Sequence, residues 1–157
     1  MKHRKDLFCE NFKTIKMIWF KPVDLKMLND FHKNTMPDYL GIEFTEIGDD
    51  YIKARMPVNE KTMQAQGRLH GGANVVLAES LGSIATVLSI NPDERKCVGL
   101  EINANHIRGA FKGYVHGITR PVHLGRTTQI WEIKIYDDDG KLSCISRITN
   151  IILDNKK

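Results

Sequence analysis

Cysteine is scarce and carries no pattern. Cys9, Cys97 and Cys144 are the only three in 157 residues. An odd, widely spaced set gives neither a disulfide framework nor zinc-ligand spacing, and it suits a reducing compartment. No Cys/His cluster has the spacing of a metal site, so no metal is expected. There is no Gly-x-Ser-x-Gly elbow, which removes the serine-hydrolase design. Internal repeats, low-complexity runs and linkers are also missing. The N-terminus starts basic but has no apolar core behind it, so no secretion signal is expected. Once Glu79 is counted, no run is free of charge for the length of a bilayer span. Lys and Arg number 23 against 19 Asp and Glu, a net charge of +4. That excess is too small and scattered for a nucleic-acid partner, though it would favour a phosphate-bearing ligand.

The chain has the length of one ordinary domain with a real core. A hydrophobic share of 41% against 27% charged residues reads as globular and soluble. Its organising stretch is residues 68–90. From Gly71 to Ser89 there is no proline and one charge, Glu79. A helix there would be about 28 Å long and apolar nearly all round, as a helix enclosed by the fold should be. Its glycines and alanines lower intrinsic helicity but admit other backbone closely, so packing must stabilise it.

Glu79, Ser83 and Thr86 fall on one polar line of this helix. Two readings stand for Glu79: a buried carboxylate satisfied by hydroxyls and backbone donors, or one at the wall of a reactive cleft. His70-Gly71-Gly72 puts bare N–H groups at the helix start, a natural site for negative charge. An anion-stabilising end and a carboxylate on one element are what acyl hydrolysis needs.

His-Gly-Gly-Ala-Asn-Val-Val-Leu-Ala-Glu-Ser-Leu-Gly-Ser, followed by Val-Gly-Leu-Glu-Ile-Asn-Ala-Asn-His-Ile-Arg at 98–108, closely resembles the hotdog-fold acyl-CoA thioesterases. The similarity runs over about residues 17–152. It is nearest the branch holding 1,4-dihydroxy-2-naphthoyl-CoA hydrolases of menaquinone synthesis and the enterobactin-synthesis proofreading thioesterases. The resemblance implies an α+β hotdog fold, an antiparallel sheet wrapped around one long central helix. It implies Glu79 as catalytic carboxylate, either general base or nucleophile, and the Gly71 N–H as donor to the thioester carbonyl. His70, Gln64 and Ser83 become helpers around that carbonyl or around Glu79. His106 and Arg108, with His123 and Gly125, become contacts to the coenzyme A moiety, to which Lys112 and Arg126 would add charge. It further implies a cytoplasmic homodimer paired through the strand 98–105, doubled to a tetramer, with no cofactor, nucleic acid or membrane. The sequence departs from its relatives at Gly109 and in a slightly longer loop at 91–95.

Residues 1–16 precede the resemblance and read as a flexible N-terminal extension to a single domain over 17–157. Pro22-Val23-Asp24 opens a short helix with Leu25, Leu28 and Phe31/His32 on one face, His32 being solvated, and Pro37-Asp38-Tyr39 ends it. Ile42–Glu46 and Tyr51–Met56 alternate as a hairpin around Gly48-Asp49-Asp50. Residues 59–67 read as loop. Four strands are expected after the helix, over 96–109, 113–123, 127–137 and 142–152, with Trp131, Ile133 and Ile135 on one face of the third and Glu132 and Lys134 on the other. The rival functions are a hotdog hydratase, which would rest on a differently set Asp/His pair, and an acyl-CoA binding module that has lost turnover.

Overall fold

The computed structural model describes residues 17–155; the extension expected over 1–16 lies outside them. Asp24 caps the first helix, α1 (Leu25–Phe31), by accepting from the Met27 N–H. A second short helix, α2 (Met36–Tyr39), follows where the proline was expected only to end the first, because Pro37 sits in its opening turn, where a missing N–H costs nothing. The hairpin is β1 (Glu43–Ile47) and β2 (Ile52–Pro57). The presumed loop 59–67 instead contributes to a small ribbon, β3 (Met63–Gln64) against β4 (Arg68–Leu69). Then come α3 (Gly71–Ser89), β5 (Arg95–His106), β6 (Tyr114–Leu124), β7 (Thr128–Asp137) and β8 (Leu142–Asp154). The expected strands differ from these by at most three residues at any end.

Six strands form one antiparallel sheet in the order β1-β2-β6-β7-β8-β5. Helix α3 lies across it as the hotdog arrangement requires. Among the described residues it is the one helix long and apolar enough for a bilayer span by length and composition, its single charge at Glu79 notwithstanding. Its partner is the sheet. Leu77, Ala78, Leu81 and Ala85 are fully buried against Ile52, Met56, Val115, Trp131, Ile133, Ile135 and Ile148. Truncating one such leucine would cost about 2–5 kcal/mol. The approach is close enough that a Cβ on Gly82 would stand 2.2 Å from Ile148 Cγ2, and one on Gly117 2.5 Å from Leu81 Cδ1. The helix is not enclosed all round, however. Gly72 and Val87 lie exposed on its outer side.

Thr86 does not join that outer side. It is fully buried, donates to the Gly82 carbonyl, and accepts from Trp131 Nε1 at 2.8 Å and Asn150 Nδ2 at 2.7 Å. The expected polar line therefore splits: Glu79 and Ser83 face outward, while Thr86 ties the helix to β7 and β8.

The two sheet edges are finished differently. At β1, Asn29 clamps the backbone of Phe44, donating to its carbonyl and accepting from its N–H, both at 2.9 Å. This covers an edge that would otherwise seek a strand. His32 takes part in the same packing rather than being solvated: its Nδ1 lies 2.8 Å from the Leu28 carbonyl and its ring 4.8 Å from Phe44. Phe31, expected on one face with Leu28, is 75% exposed where Leu28 is buried. The opposite edge, β5, has no cover among the described residues, and its Val98 and Leu100 are 51% and 63% exposed.

Candidate active site

The start of α3 is fixed by long-range backbone bonds. The His70 N–H donates to the Thr62 carbonyl and the Leu69 N–H to the Ala110 carbonyl, both at 2.8 Å. Thr62 is itself buried, its hydroxyl donating to the Pro57 carbonyl. His70 then serves as N-cap, its Nδ1 accepting from the Gly72 N–H at 2.8 Å. The cap consumes Gly72's donor and leaves Gly71 N–H at the open end of the helix, where the macrodipole is positive.

A polar cleft of about 310 Å³ opens there, lined by Gln64, Arg68, Gly71, Asn74, His106 and Arg108 among others. His106 reaches over Gly71 so closely that a Cβ on residue 71 would stand 2.9 Å from its Nε2. Arg108 is held by its backbone. Ser143 Oγ donates to the Arg108 carbonyl at 2.8 Å, and the Ile107 and Arg108 N–H groups donate to the Ser143 carbonyl. The guanidinium groups of Arg68 and Arg108 have no carboxylate partner within salt-bridge distance among the described residues. The cleft thus pairs helix-end donors with two cations, a setting for an anionic, phosphate-bearing group. Sequence reasoning placed Gln64, Gly71, His106 and Arg108 here but missed Arg68 and Asn74. Asn74 is 4% exposed and its Oδ1 has no hydrogen-bond partner among the described residues. Its position three residues past Gly71, one turn along the helix, was the available signal.

Glu79 is half-buried on the side of α3 that faces β5. Ser83 Oγ donates to its Oε1 at 3.2 Å, so the serine is turned to the carboxylate rather than back to the helix carbonyl. Gly99 on β5 lies directly beneath that oxygen. Eight residues separate Glu79 from Gly71, about 12 Å along the helix axis, and Glu79 does not line the cleft at Gly71. One chain therefore holds the anion-stabilising helix end and the carboxylate apart.

His123 and Gly125 are not brought to the cleft within one chain either. Leu124 pairs with Gln129, whose Oε1 accepts from Ser89 at the far end of α3, whereas His106 stands over the helix start. Arg126 shares that far end, its carbonyl accepting from Arg95. Lys112 lies exposed in the turn before β6. No grouping of His, Cys, Asp and Glu suited to a metal occurs among the described residues. Cys97 and Cys144 are free, and burial pushes both thiols above their usual range.

Comparison with known proteins decides the family. The pattern described as "Thioesterase superfamily" matches residues 66–144, from the ribbon through the start of β8. The 1,4-dihydroxy-2-naphthoyl-CoA hydrolase of Escherichia coli is 50% identical over 137 residues, covering 87% of this chain and 100% of that protein. The chain belongs to the thioesterase superfamily. A proofreading thioesterase EntH of Cronobacter turicensis is 45% identical over 87% of this thioesterase and 99% of its own length. Among solved structures, a variant of thioesterase PA1618 from Pseudomonas aeruginosa superposes with a TM-score of 0.87 at 48% identity, covering 88% of this chain and 99% of that one. The hotdog expectation and the thioesterase activity are therefore both met in this enzyme.

Proposed function

We propose that this thioesterase hydrolyses an acyl- or aroyl-CoA, or the equivalent carrier-protein thioester, and that Glu79 drives the step. The observation that carries the reading is the pair of half-sites above. A carboxylate held by Ser83 faces β5, and a capped helix end with a free Gly71 N–H opens into a cationic cleft. The similar hydrolase from Escherichia coli acts on an aroyl-CoA, which supports an aromatic acyl group and a place in menaquinone synthesis.

In this reading the thioester carbonyl accepts from the Gly71 N–H, the donor aimed where negative charge grows. Gln64 and His70 orient that carbonyl. Glu79 activates the attack, by taking the proton of a water or by adding to the carbonyl carbon itself. The C–S bond then breaks and the departing thiolate takes up a proton to leave as free thiol; in the nucleophilic route water afterwards hydrolyses the acyl–Glu79 anhydride, releasing the free acid and restoring the carboxylate. His106 and Arg108, with Arg68, hold the phosphates of the thiol half.

The two half-sites meet if a second copy pairs antiparallel along the open edge of β5. Gly99 underlies Glu79 and His106 overlies Gly71, so a two-fold axis crossing β5 between those levels sets Glu79 against Gly71 of the partner subunit. The same axis explains why His123 and Gly125 sit far from His106 in one chain: they would complete the partner's cleft. We infer a homodimer on this basis, two dimers stacking into a tetramer, in the cytoplasm.

The test is thiol release from benzoyl-CoA, a hydroxylated benzoyl-CoA and a medium-chain acyl-CoA, comparing wild type with Glu79→Gln. Turnover should fall by about a hundredfold or more in the variant, the scale of general-base removal. Turnover that survives the substitution would place the chemistry elsewhere. After a single turnover in isotopically labelled water, label in the Glu79 carboxylate identifies the nucleophilic route, since general-base catalysis places it in the product acid alone.

A further inference from the structure

A buried polar atom without a partner is rare in a folded protein and calls for a reason. The Oδ1 of Asn150 on β8 is such an atom. The residue is fully buried, and no donor among the described residues reaches that oxygen. The other half of the same amide is firmly held: Nδ2 donates to the Gly82 carbonyl at 3.2 Å and to Thr86 Oγ1 at 2.7 Å. A carbonyl only accepts, so the amide cannot be turned over, and Oδ1 is fixed on the side away from Gly82.

That side faces Glu79. Asn150 and Gly99 stand opposite each other across the ladder of β8 and β5. The point that a Cβ would occupy on Gly99 lies 2.8 Å from Glu79 Oε1 and 3.8 Å from Asn150 Oδ1. The two oxygens are therefore at most about 6.6 Å apart, the sum of those distances, a gap that the movable end of Glu79 can close. Ser83 Oγ already gives its proton to Glu79 Oε1, so it does not serve Asn150. While Glu79 is a carboxylate, both oxygens are acceptors and neither can bond the other. The folded state gains nothing from Oδ1, and leaving it bare costs stability. A proton on Glu79 would match it.

We propose that Asn150 is a positioning residue whose Oδ1 accepts from the Glu79 carboxyl once that group has taken a proton from water. It rests on Glu79 as the reacting group and decides between its two routes in favour of the general base. The water oxygen bonds the thioester carbon as one of its protons passes to a Glu79 oxygen, and the carbonyl becomes an oxyanion on the Gly71 N–H. The carboxyl now carries the O–H that Asn150 lacks. Its terminal torsion is broad and two-fold, so either oxygen can turn to Oδ1. When the oxyanion re-forms a carbonyl and the C–S bond breaks, the thiolate takes that proton from Glu79, restoring the carboxylate. The bond to Asn150 thus exists only after the proton has moved, and an interaction of that kind raises kcat rather than affinity.

The experiment uses the full chain. Glu79→Gln sets an N–H donor permanently opposite Asn150 Oδ1. It should raise Tm by about 2–4 °C, the scale of one added hydrogen bond in a domain of this size, and the rise should vanish in an Asn150→Leu background. Asn150→Leu alone should cut kcat of the folded enzyme about tenfold and leave KM within about twofold. Thr86→Val weakens the same network from its other end and should leave kcat unchanged, so a loss of kcat in Asn150→Leu is not a loss of packing. Glu79→Gln that melts no higher than wild type would overturn the proposal, whether or not Asn150→Leu folds. So would label in the Glu79 carboxylate after one turnover in isotopically labelled water, with Glu79→Gln inactive: Glu79 would then be a nucleophile with no proton to share. Glu79→Gln that melts higher through Asn150 yet keeps full turnover would keep the contact and sink the assignment of Glu79 on which this role depends.

Discussion

Glu79 Oε1 lies 2.8 Å from the point that a Cβ would occupy on Gly99. The carboxylate and the strand are therefore matched across a gap that admits no side chain. Gly99 has no left-handed φ, so alanine fits its backbone, and the only obstacle is the movable end of Glu79. Gly99→Ala should fold with little loss of stability and swing the carboxylate out of place. We expect kcat to fall by about tenfold or more with KM much less affected, since a misplacement of this size is costly to an aligned catalytic group. Steady-state kinetics beside a thermal melt checks it, and wild-type kcat in the variant would deny Glu79 a position-critical role.

His70 carries two separable duties, capping α3 and standing beside the proposed carbonyl site. His70→Ala removes the acceptor of the Gly72 N–H and should cost about 0.5–2 kcal/mol of stability. His70→Asn supplies another capping oxygen and should retain stability to within about 0.5 kcal/mol. Both should lower kcat, because neither restores an imidazole. Denaturant unfolding and turnover are read on the same samples. An asparagine variant with full activity would reduce His70 to a cap.

The limits of α3 were legible because its cap, its glycines and its apolar run are all local. The face of Thr86 was not. Ser83 and Thr86 differ by about 60° around the helix, and which of them turns inward depends on Trp131 and Asn150, more than 40 residues away. The ribbon of β3 and β4 escaped notice for a similar reason: two-residue strands have no period to read, and this pair is held by bonds to distant backbone. Gln64, Gly71, His106 and Arg108 could be gathered from motif resemblance alone. His123 and Gly125 could not be placed, because their distance from His106 depends on strand order across the whole sheet.

Thr86 should matter to stability and not to chemistry. Thr86→Val keeps the shape but removes the one acceptor that Trp131 Nε1 has among the described residues and one of two for Asn150 Nδ2. Each buried donor left unmatched costs about 1–3 kcal/mol, so the variant should lose about 2–4 kcal/mol with an unchanged denaturant slope. Residual folded enzyme should keep its kcat. A loss below about 1 kcal/mol would mean that the network relaxes around the change.

The uncovered edge of β5 should decide both assembly and activity. Unlike β1, which Asn29 covers, β5 presents free backbone and the side chains of Val98 and Leu100 to solvent. Exposed edges of this kind seek another strand. Pairing with a second copy would also bring each Glu79 to a helix end, so a monomer would hold only half-sites. Wild type should scatter light as a dimer or larger at micromolar concentration. Val98→Lys combined with Leu100→Lys should shift it toward monomer, because a buried interface must bring two unpaired charges with it. Turnover should fall with the dimer population and recover as protein concentration rises, which a simple catalytic lesion would not do. A fully active wild-type monomer would show that one chain closes the site alone, and the two-fold arrangement would be abandoned.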